Sequence, residues 1–423
     1  MKAIALIDGN NFYASCEESI DPSLIGHPVV VLSSNNGCII ARNAEARKLK
    51  IKMGTPYFKI KNELYKLGVI VKSSNYSLYG DMSQRFMSLL TKYSEIIEIY
   101  SIDEAFIQIS RPKNKNLNEW GRQIRAIIYQ SLGLPISIGI GKNKCQAKIA
   151  NHIAKKDASK AGIFDIGILE SQDEYLSSVE IEDVWGIGNK MSKWLRRKGI
   201  DNARKLREMK SSELKRKYGV VAIRIQQELN GFECMQIVNQ TNKKKEMCIS
   251  RSYSSPIVNI EESKKIISNY AVHLAAKLRE QNQLTKQITV FIRTSPFREN
   301  FYSNSSTLKL NNPSNETSII LKSSIKLLEK IYQTNYPPNK LGIIVKKLED
   351  KNYFQPSLFT NFKSEGIEKR DRLLETIDRI NNRFGENSLR WAICGQKTSY
   401  NIRKESLSSL STTDIKNIPI VVA

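Results

Sequence analysis

Short apolar runs separated by polar turns dominate the first 165 residues, and they predict a mixed α/β order. KAIALID at 2–8 is the first strand; a tight GNN turn and a helical stretch, FYASCEES, follow it. From about 21 to 78 the segments are short: PVVVLSS and GCIIAR as strands, NAEARKLK as a helix, VIVKSSN as a strand. Met82, Phe86, Leu89, Leu90 and Tyr93 then recur at helical spacing over 79–93. IIEIYSIDEAFIQIS reads as a hairpin around the polar tip Ser101–Glu104, without the usual Asn-Gly turn. A helix over about 117–131 and the strand PISIGIG complete a β, α, β, β, α, β order. That order is the ferredoxin-like split βαβ motif, with residues 21–78 inserted in it.

Past 165 the pattern turns helical and basic, through DVWGIGNKMSKWLRRKGIDNARKL to about Gly231. NQTNKKKEM reads as an exposed linker. From 248 to about 348 strands alternate with helices: CISRSYSS, a helix near 261–281, QITVFIRTS, STLKL, a helix near 317–333, and KLGIIVKKL. This predicts a second, separate α/β domain with antiparallel strands. Beyond 350 only a helical patch near 366–382 stands out, and no repeat of fixed period occurs.

Length and charge sharpen the picture. A chain of 423 residues exceeds what one core usually serves, so several domains are expected. No apolar run approaches the ~18 residues of a membrane span, and the start lacks the features of a secretory signal, so a cytoplasmic protein is expected, without a membrane partner. Six scattered cysteines without a C-x-x-C pair, and three histidines, favour reduced thiols over a zinc site. Lys plus Arg number 66 against 42 Asp plus Glu, a net +24 that favours a polyanionic partner without choosing among DNA, RNA and a membrane surface.

Three carboxylates carry the candidate chemistry. Asp8 ends the first strand, and Asp103 and Glu104 sit at the hairpin tip; in a split βαβ sheet these positions converge. Oxygen ligands of this kind suit Mg²⁺, and two such ions would activate a 3′-hydroxyl and stabilise a leaving pyrophosphate. Taken singly, each is equally well a solvated acid at a strand end.

Their company changes the reading. D-G-N-N-F-Y at 8–13, S-I-D-E-A-F at 101–106 and G-I-G-K-N-K-C-Q-A-K-I-A at 139–150 resemble, in order, the signature segments of Y-family DNA polymerases. The resemblance spans at least residues 1–350. It implies an α+β multidomain right hand: palm 1–20 and 79–165, fingers 21–78, helical thumb 166–235 with a helix-hairpin-helix, linker 236–247, little finger 248–350, and a tail over 351–423. It also implies low-fidelity synthesis past damaged bases, on primer-template DNA with deoxynucleoside triphosphates.

By position, Asp8, Asp103, Glu104 and the Gly9 carbonyl would hold two Mg²⁺ ions. Tyr13 falls at the steric gate that rejects a ribose 2′-hydroxyl; Phe12 beside it is a nucleotide contact or a core residue. Arg47 and Lys155 match triphosphate-binding positions, Lys156 less well. Ala44 stands where the family has a tyrosine, leaving Asn43 or Arg42 to replace its hydrogen bond; UmuC-type sequences share this departure.

V-W-G-I-G-N-K at 184–190 resembles the helix-hairpin-helix, with Gly186, Gly188 and Lys190 toward phosphate and Trp185 more often core. Arg251, Arg293 and Lys309 belong to the region that resembles the little finger, which lies along the duplex, and this implies Arg251 and Arg293 as DNA contacts. Q-P-S-L-F at 355–359 resembles a sliding-clamp peptide, with Gln355 in a polar pocket and Leu358 and Phe359 in an apolar one. W-A-I-C-G-Q at 391–396 and L-S-T-T-D at 410–414 resemble the UmuC-type C-terminal region, which implies a processed UmuD dimer and the RecA filament as partners in SOS mutagenesis. The alternatives are a polymerase IV-type enzyme working without UmuD, a nucleotide cyclase on a similar palm, and a DNA-binding scaffold without activity.

Overall fold

The computed structural model describes residues 2–112, 116–168, 171–238, 243–297, 300–353, 364–385, 387–395, 405–409 and 412. The chain divides into two compact units, Met1–Thr241 with Lys404–Ala423, and Asn242–Arg403.

The first unit begins with β1 (Lys2–Gly9) and α1 (Phe12–Ile20). An insert follows: β2 (Val29–Leu32), β3 (Ile39–Arg42), α2 (Ala44–Lys48), α3 (Tyr57–Lys66) and β4 (Ile70–Ser73). Then come α4 (Tyr76–Leu90), β5 (Ile97–Ile99), β6 (Glu104–Ser110), α5 (Asn118–Leu132), β7 (Ile136–Gly141), α6 (Lys144–Lys156) and β8 (Ile163–Asp165). Four short to long helices close it: α7 (Asp173–Ser177), α8 (Asn189–Arg197), α9 (Ala203–Glu208) and α10 (Ser211–Leu229).

The large sheet runs β5-β6-β1-β7-β8, so its first four strands have the expected ferredoxin-like order. β8, parallel to β7, adds a fifth strand that three residues of IFD gave no periodicity to reveal. The insert has its own three-stranded sheet, β3-β2-β4, and a helix, α3, whose core contact is chiefly Leu64. Tyr57 and Ile60 pack part-buried on the same core, at i, i+3 and i+7 with Leu64, a helical spacing that the reading of 21–78 passed over.

Helix α6 lies against β7 with no side chain between them. A Cβ at Gly139 would fall 2.1 Å from the Asn151 nitrogen and 2.2 Å from the Ala147 carbonyl oxygen. These are backbone atoms and cannot swing aside. Gly139→Ala is therefore expected to cost about 3 kcal/mol or more, read from urea unfolding followed by tryptophan fluorescence. The close approach also carries one face of α6 to the ends of β1 and β6.

The second unit comprises β9 (Glu246–Ser252), α11 (Ile260–Glu280), β10 (Gln283–Arg293), β11 (Ser303–Ser314), α12 (Thr317–Ile331), β12 (Lys340–Asp350) and α13 (Ser364–Phe384). Its sheet runs β11-β10-β12-β9 and every pairing is antiparallel. Helices α11 and α12 cover one face through Ile267, Leu274, Ile320 and Leu328. Helix α13 is fixed to α11 by Arg279, which grips the Asp378 carboxylate with two nitrogens at 2.6 and 2.8 Å. Among the described residues no helix is long and apolar enough to cross a membrane.

Candidate active site

Asp8 is the penultimate residue of β1, and the antiparallel register sets it opposite Glu104, the first residue of β6. The Gly9 N–H donates to the Asp103 carbonyl at 2.8 Å, tying the strand end to the hairpin tip. A Cβ at Gly9 would sit 3.0 Å from the Phe12 ring, so this crossing is packed tight. Asp8, Asp103 and Glu104 thus lie at the same end of the neighbouring strands β1 and β6.

Each carboxylate has its own environment. Asp8 accepts from Lys155 Nζ at 2.7 Å and from Asn151 Nδ2 at 3.2 Å. Both Glu104 oxygens accept from Lys148 Nζ at 2.8 Å. Lys148 is held in turn over the Tyr100 ring, 4.7 Å from its centroid, with Trp185 on the same cluster. Burial pushes the Glu104 carboxyl above its ordinary value; Lys148 opposes this, while Asp8 and Asp103 reinforce it. Asp103 accepts from the Ser101 hydroxyl at 2.5 Å, and that hydroxyl also receives the Asp103 and Glu104 N–H groups.

Asp8, Gly9 and Asp103 form one wall of a cleft of about 390 Å³ that is also lined by Phe12, Tyr13, Arg42, Arg47 and Lys155. Glu104 is not among the residues that line it. Phe12 is 4 % exposed and belongs mainly to the core, whereas Tyr13 is half-buried with its ring at the cleft. Adjacent helical residues point about 100° apart, so one side chain can enter the core and the next face the opening. Asn11, at φ 50°, starts α1 and accepts from Arg47 Nη2 at 2.5 Å.

Asn43 and Arg42 differ in where they stand. Asn43 is buried and its amide is fully engaged: it accepts from the Val29 and Ala46 N–H groups and donates to Glu18 and the His27 carbonyl. Arg42 lines the cleft instead. Lys156 turns to Asp183 at 2.9 Å, away from Asp8.

Two residues of this site, Lys148 and Asn151, were not singled out from the sequence. With Lys155 they fall at i, i+3 and i+7 of α6, one stripe of a helix. That polar stripe on an otherwise buried helix was the available signal. Among the described residues no three acidic, histidine or cysteine side chains stand together as a finished metal cage.

Elsewhere, Gly186 has φ +86° and Gly188 is the N-cap of α8; both are exposed, as is Lys190. Trp185 donates to the Tyr100 hydroxyl at 3.1 Å and packs with the core. In the second unit the register puts Lys309 opposite Gln287, and Arg293 lies six positions along from Gln287, so both cations share the sheet face opposite the helices. Arg251 pairs with Leu341, a core residue, so it lies on the helix side. Gln355, Leu358 and Phe359 lie outside the described residues.

Comparison with known proteins gives this geometry its class. The impB/mucB/samB family matches residues 7–152, its C-terminal domain residues 244–358, and a domain of unknown function residues 371–421. The fold is that of solved Y-family enzymes: a Y-family DNA polymerase chimera superposes with a TM-score of 0.65 at 22 % identity, over 82 % of this chain and 99 % of that one. An insertion ternary complex of Dbh DNA polymerase has a TM-score of 0.54 at 23 % identity, over 82 % and 99 %. The chain belongs to the impB/mucB/samB family and is a Y-family DNA polymerase. A DNA polymerase IV of Bacillus velezensis is 27 % identical over 393 residues, 91 % of each chain. Protein UmuC of Salmonella typhimurium (strain LT2) is 37 % identical over 414 residues, 97 % of each chain. Within the family, then, the chain is of UmuC type.

Proposed function

We propose that this cleft adds deoxynucleotides to a primer 3′-end by two-metal nucleotidyl transfer, at low fidelity and past damaged template bases, in SOS mutagenesis. The observation that carries the reading is the β1–β6 register, which sets Asp8 opposite Glu104 with Asp103 beside them at a cleft shared by Tyr13 and three cations. The donor set fits a hard divalent ion, because Asp8, Asp103, Glu104 and the Gly9 carbonyl offer oxygen alone. Two Mg²⁺ ions held there would supply Lewis-acid activation of the 3′-hydroxyl and of the leaving pyrophosphate.

The chain's own residues do the rest. Arg42, Arg47 and Lys155 converge on the cleft and can bind and orient a triphosphate. Lys148 and Lys155 balance Glu104 and Asp8, so three acids can stand together. Each lysine reaches its carboxylate with the free end of a long side chain, which leaves the carboxylate able to take other partners. Tyr13 lines the cleft as the side chain with which a ribose 2′-hydroxyl would collide.

The exposed Gly186–Lys190 turn would grip duplex phosphates through backbone N–H groups. Lys190→Ala is expected to lower the slope of log affinity against log salt by about 1, uniformly across DNA sequences, in fluorescence-anisotropy titrations. Arg293 and Lys309 suit the same task on the second unit. The 355–359 peptide would dock on the sliding clamp, and a processed UmuD dimer and the RecA filament are the further partners we assign. The cytoplasm, which holds template and nucleotides, is the compartment this activity requires.

Primer extension with Mg²⁺ and four deoxynucleotides tests the reading, on intact and lesion-bearing templates, alone and then with clamp, processed UmuD and RecA filaments. Extension that stops on chelation and resumes with Mg²⁺ is expected. No extension under any of these conditions, with DNA binding intact, would return the chain to a scaffold.

A further inference from the structure

The C-terminal segment 405–409 belongs to the first unit, although more than 300 residues separate it from its partners there. The Ser73 N–H donates to the Ser406 carbonyl at 2.8 Å, and the Ser406 N–H donates to the Ser73 hydroxyl at 3.2 Å. Ser73 is the last residue of β4, the edge strand of the insert sheet, so the segment meets that backbone edge at its end. Asn75 Nδ2 donates to the Ser408 hydroxyl at 2.9 Å and to the Ser409 carbonyl at 3.3 Å. The other end of the same amide caps α4 by accepting the Leu78 N–H. The segment is therefore built into the start of α4.

Helix α4 is what supports Tyr13. The Tyr13 and Tyr79 rings stack, with centroids 4.5 Å apart and planes 22° from parallel, and Tyr76 meets Tyr13 edge-on at 6.2 Å. Tyr79 is fully buried and its hydroxyl donates to Glu17 Oε1 at 2.6 Å. Glu17 is itself fully buried, one helical turn beyond Tyr13 on α1. Its Oε1 takes a second hydrogen bond, from Ser408 at 3.3 Å, while its Oε2 has no hydrogen-bond partner among the described residues. Burial drives the Glu17 carboxyl above its ordinary value, and the bonds from Tyr79 and Ser408 oppose that shift. A buried carboxyl with so few donors depends on each of them.

We propose that residues 406–409 are a positioning element for sugar selection: through Asn75 and Glu17 they fix Tyr79, and Tyr79 fixes the Tyr13 ring at the mouth of the cleft. This gives a task to part of a C-terminal region that matches a domain of unknown function, and it rests on Tyr13 being the sugar gate. Ser408 is not among the residues that line the cleft; it acts two side chains away from Tyr13. The prediction is therefore specific to the sugar, since a ring free to tilt admits a 2′-hydroxyl without losing the deoxynucleotide.

Single-nucleotide insertion by the full chain, with whatever partners its activity requires, measures the ratio of kcat/KM for a deoxynucleotide to that for the matching ribonucleotide. Ser408→Ala is expected to lower this ratio about 3- to 10-fold, the size of one neutral hydrogen bond. Deoxynucleotide insertion should stay within about twofold, and Ser408→Thr should restore the ratio. Tyr79→Phe, which keeps the ring and removes the donor, should act in the same direction. Adding Ser408→Ala to Tyr13→Ala should change the ratio no further, because both act through one ring. A ratio unmoved by Ser408→Ala while Tyr13→Ala collapses it overturns the proposal and spares the gate. Equal losses for both sugars also overturn it, since they mark general support. A ratio unmoved by Tyr13→Ala removes the gate itself.

Discussion

Asp103→Asn is expected to reduce primer extension on the order of 10³-fold while DNA binding and thermal unfolding stay unchanged. The substitution keeps the shape of the side chain and one acceptor oxygen, so the Ser101 hydroxyl retains its partner at the hairpin tip. Ser101 also keeps the two backbone N–H groups that shape the turn. What disappears is one negative charge on the cleft wall, beside Asp8. This is a cleaner test than Asp8→Asn, which would also leave Lys155 without its counter-charge at 2.7 Å, or Glu104→Gln, which would strand the part-buried Lys148. Rapid-quench kinetics alongside a salt-dependent binding titration separates chemistry from affinity. Activity within about tenfold of wild type would remove Asp103 from the reaction centre.

The second large effect is on sugar choice. Tyr13→Ala is expected to lower the preference for deoxy- over ribonucleotides on the order of 100-fold, with a far smaller loss of deoxynucleotide insertion. The ring is held by the Tyr79 stack and the Tyr76 edge, and burial raises the phenol's pKa, so it stays neutral and fixed. Phe12→Ala provides the contrast. Phe12 is a core residue at 4 % exposure, so its loss should cost about 3–5 kcal/mol of stability without improving ribonucleotide use. If the two variants changed sugar preference equally, the division of labour between neighbouring residues would fail.

Some of this architecture is legible in sequence because it depends on local pattern. The large sheet follows from short apolar runs and one helical period, and the meeting of Asp8 with the hairpin tip follows from the split βαβ order. The second unit shows where such reading stops. Its βαββαβ element order matches that of the large sheet, yet its strands run third-second-fourth-first, where the large sheet's first four run second-third-first-fourth. Element order does not choose between these arrangements; the packing of α11 and α12 on one face does. Strand β8 escaped notice because three residues carry no period, and helix α3 because exposed Phe58 and Tyr65 blur the Tyr57, Ile60, Leu64 spacing that faces its core. Asn43 and Arg42 are both polar neighbours of a small helix, and only the buried hydrogen bonds of Asn43 decide which one faces the cleft. The contacts of Ser406 and Ser408 are remoter still. Serines in a polar tail carry no periodicity, and their partners lie 333 residues away.

That last separation sets an order in time. The first unit is discontinuous: its main part ends at Thr241, and the serines that complete it come only after the whole second unit. At roughly 5–20 residues per second, a ribosome spends on the order of ten seconds or more between those points. A nascent chain thus displays its cleft, with Tyr13 and all three carboxylates present, before Ser408 has been made. Chains that stall or are clipped ahead of residue 405 would be stuck at that stage, equipped to polymerise and less able to refuse a ribonucleotide. On the role proposed for residues 406–409, this late contact would be read out in the sugar of the strand the chain makes.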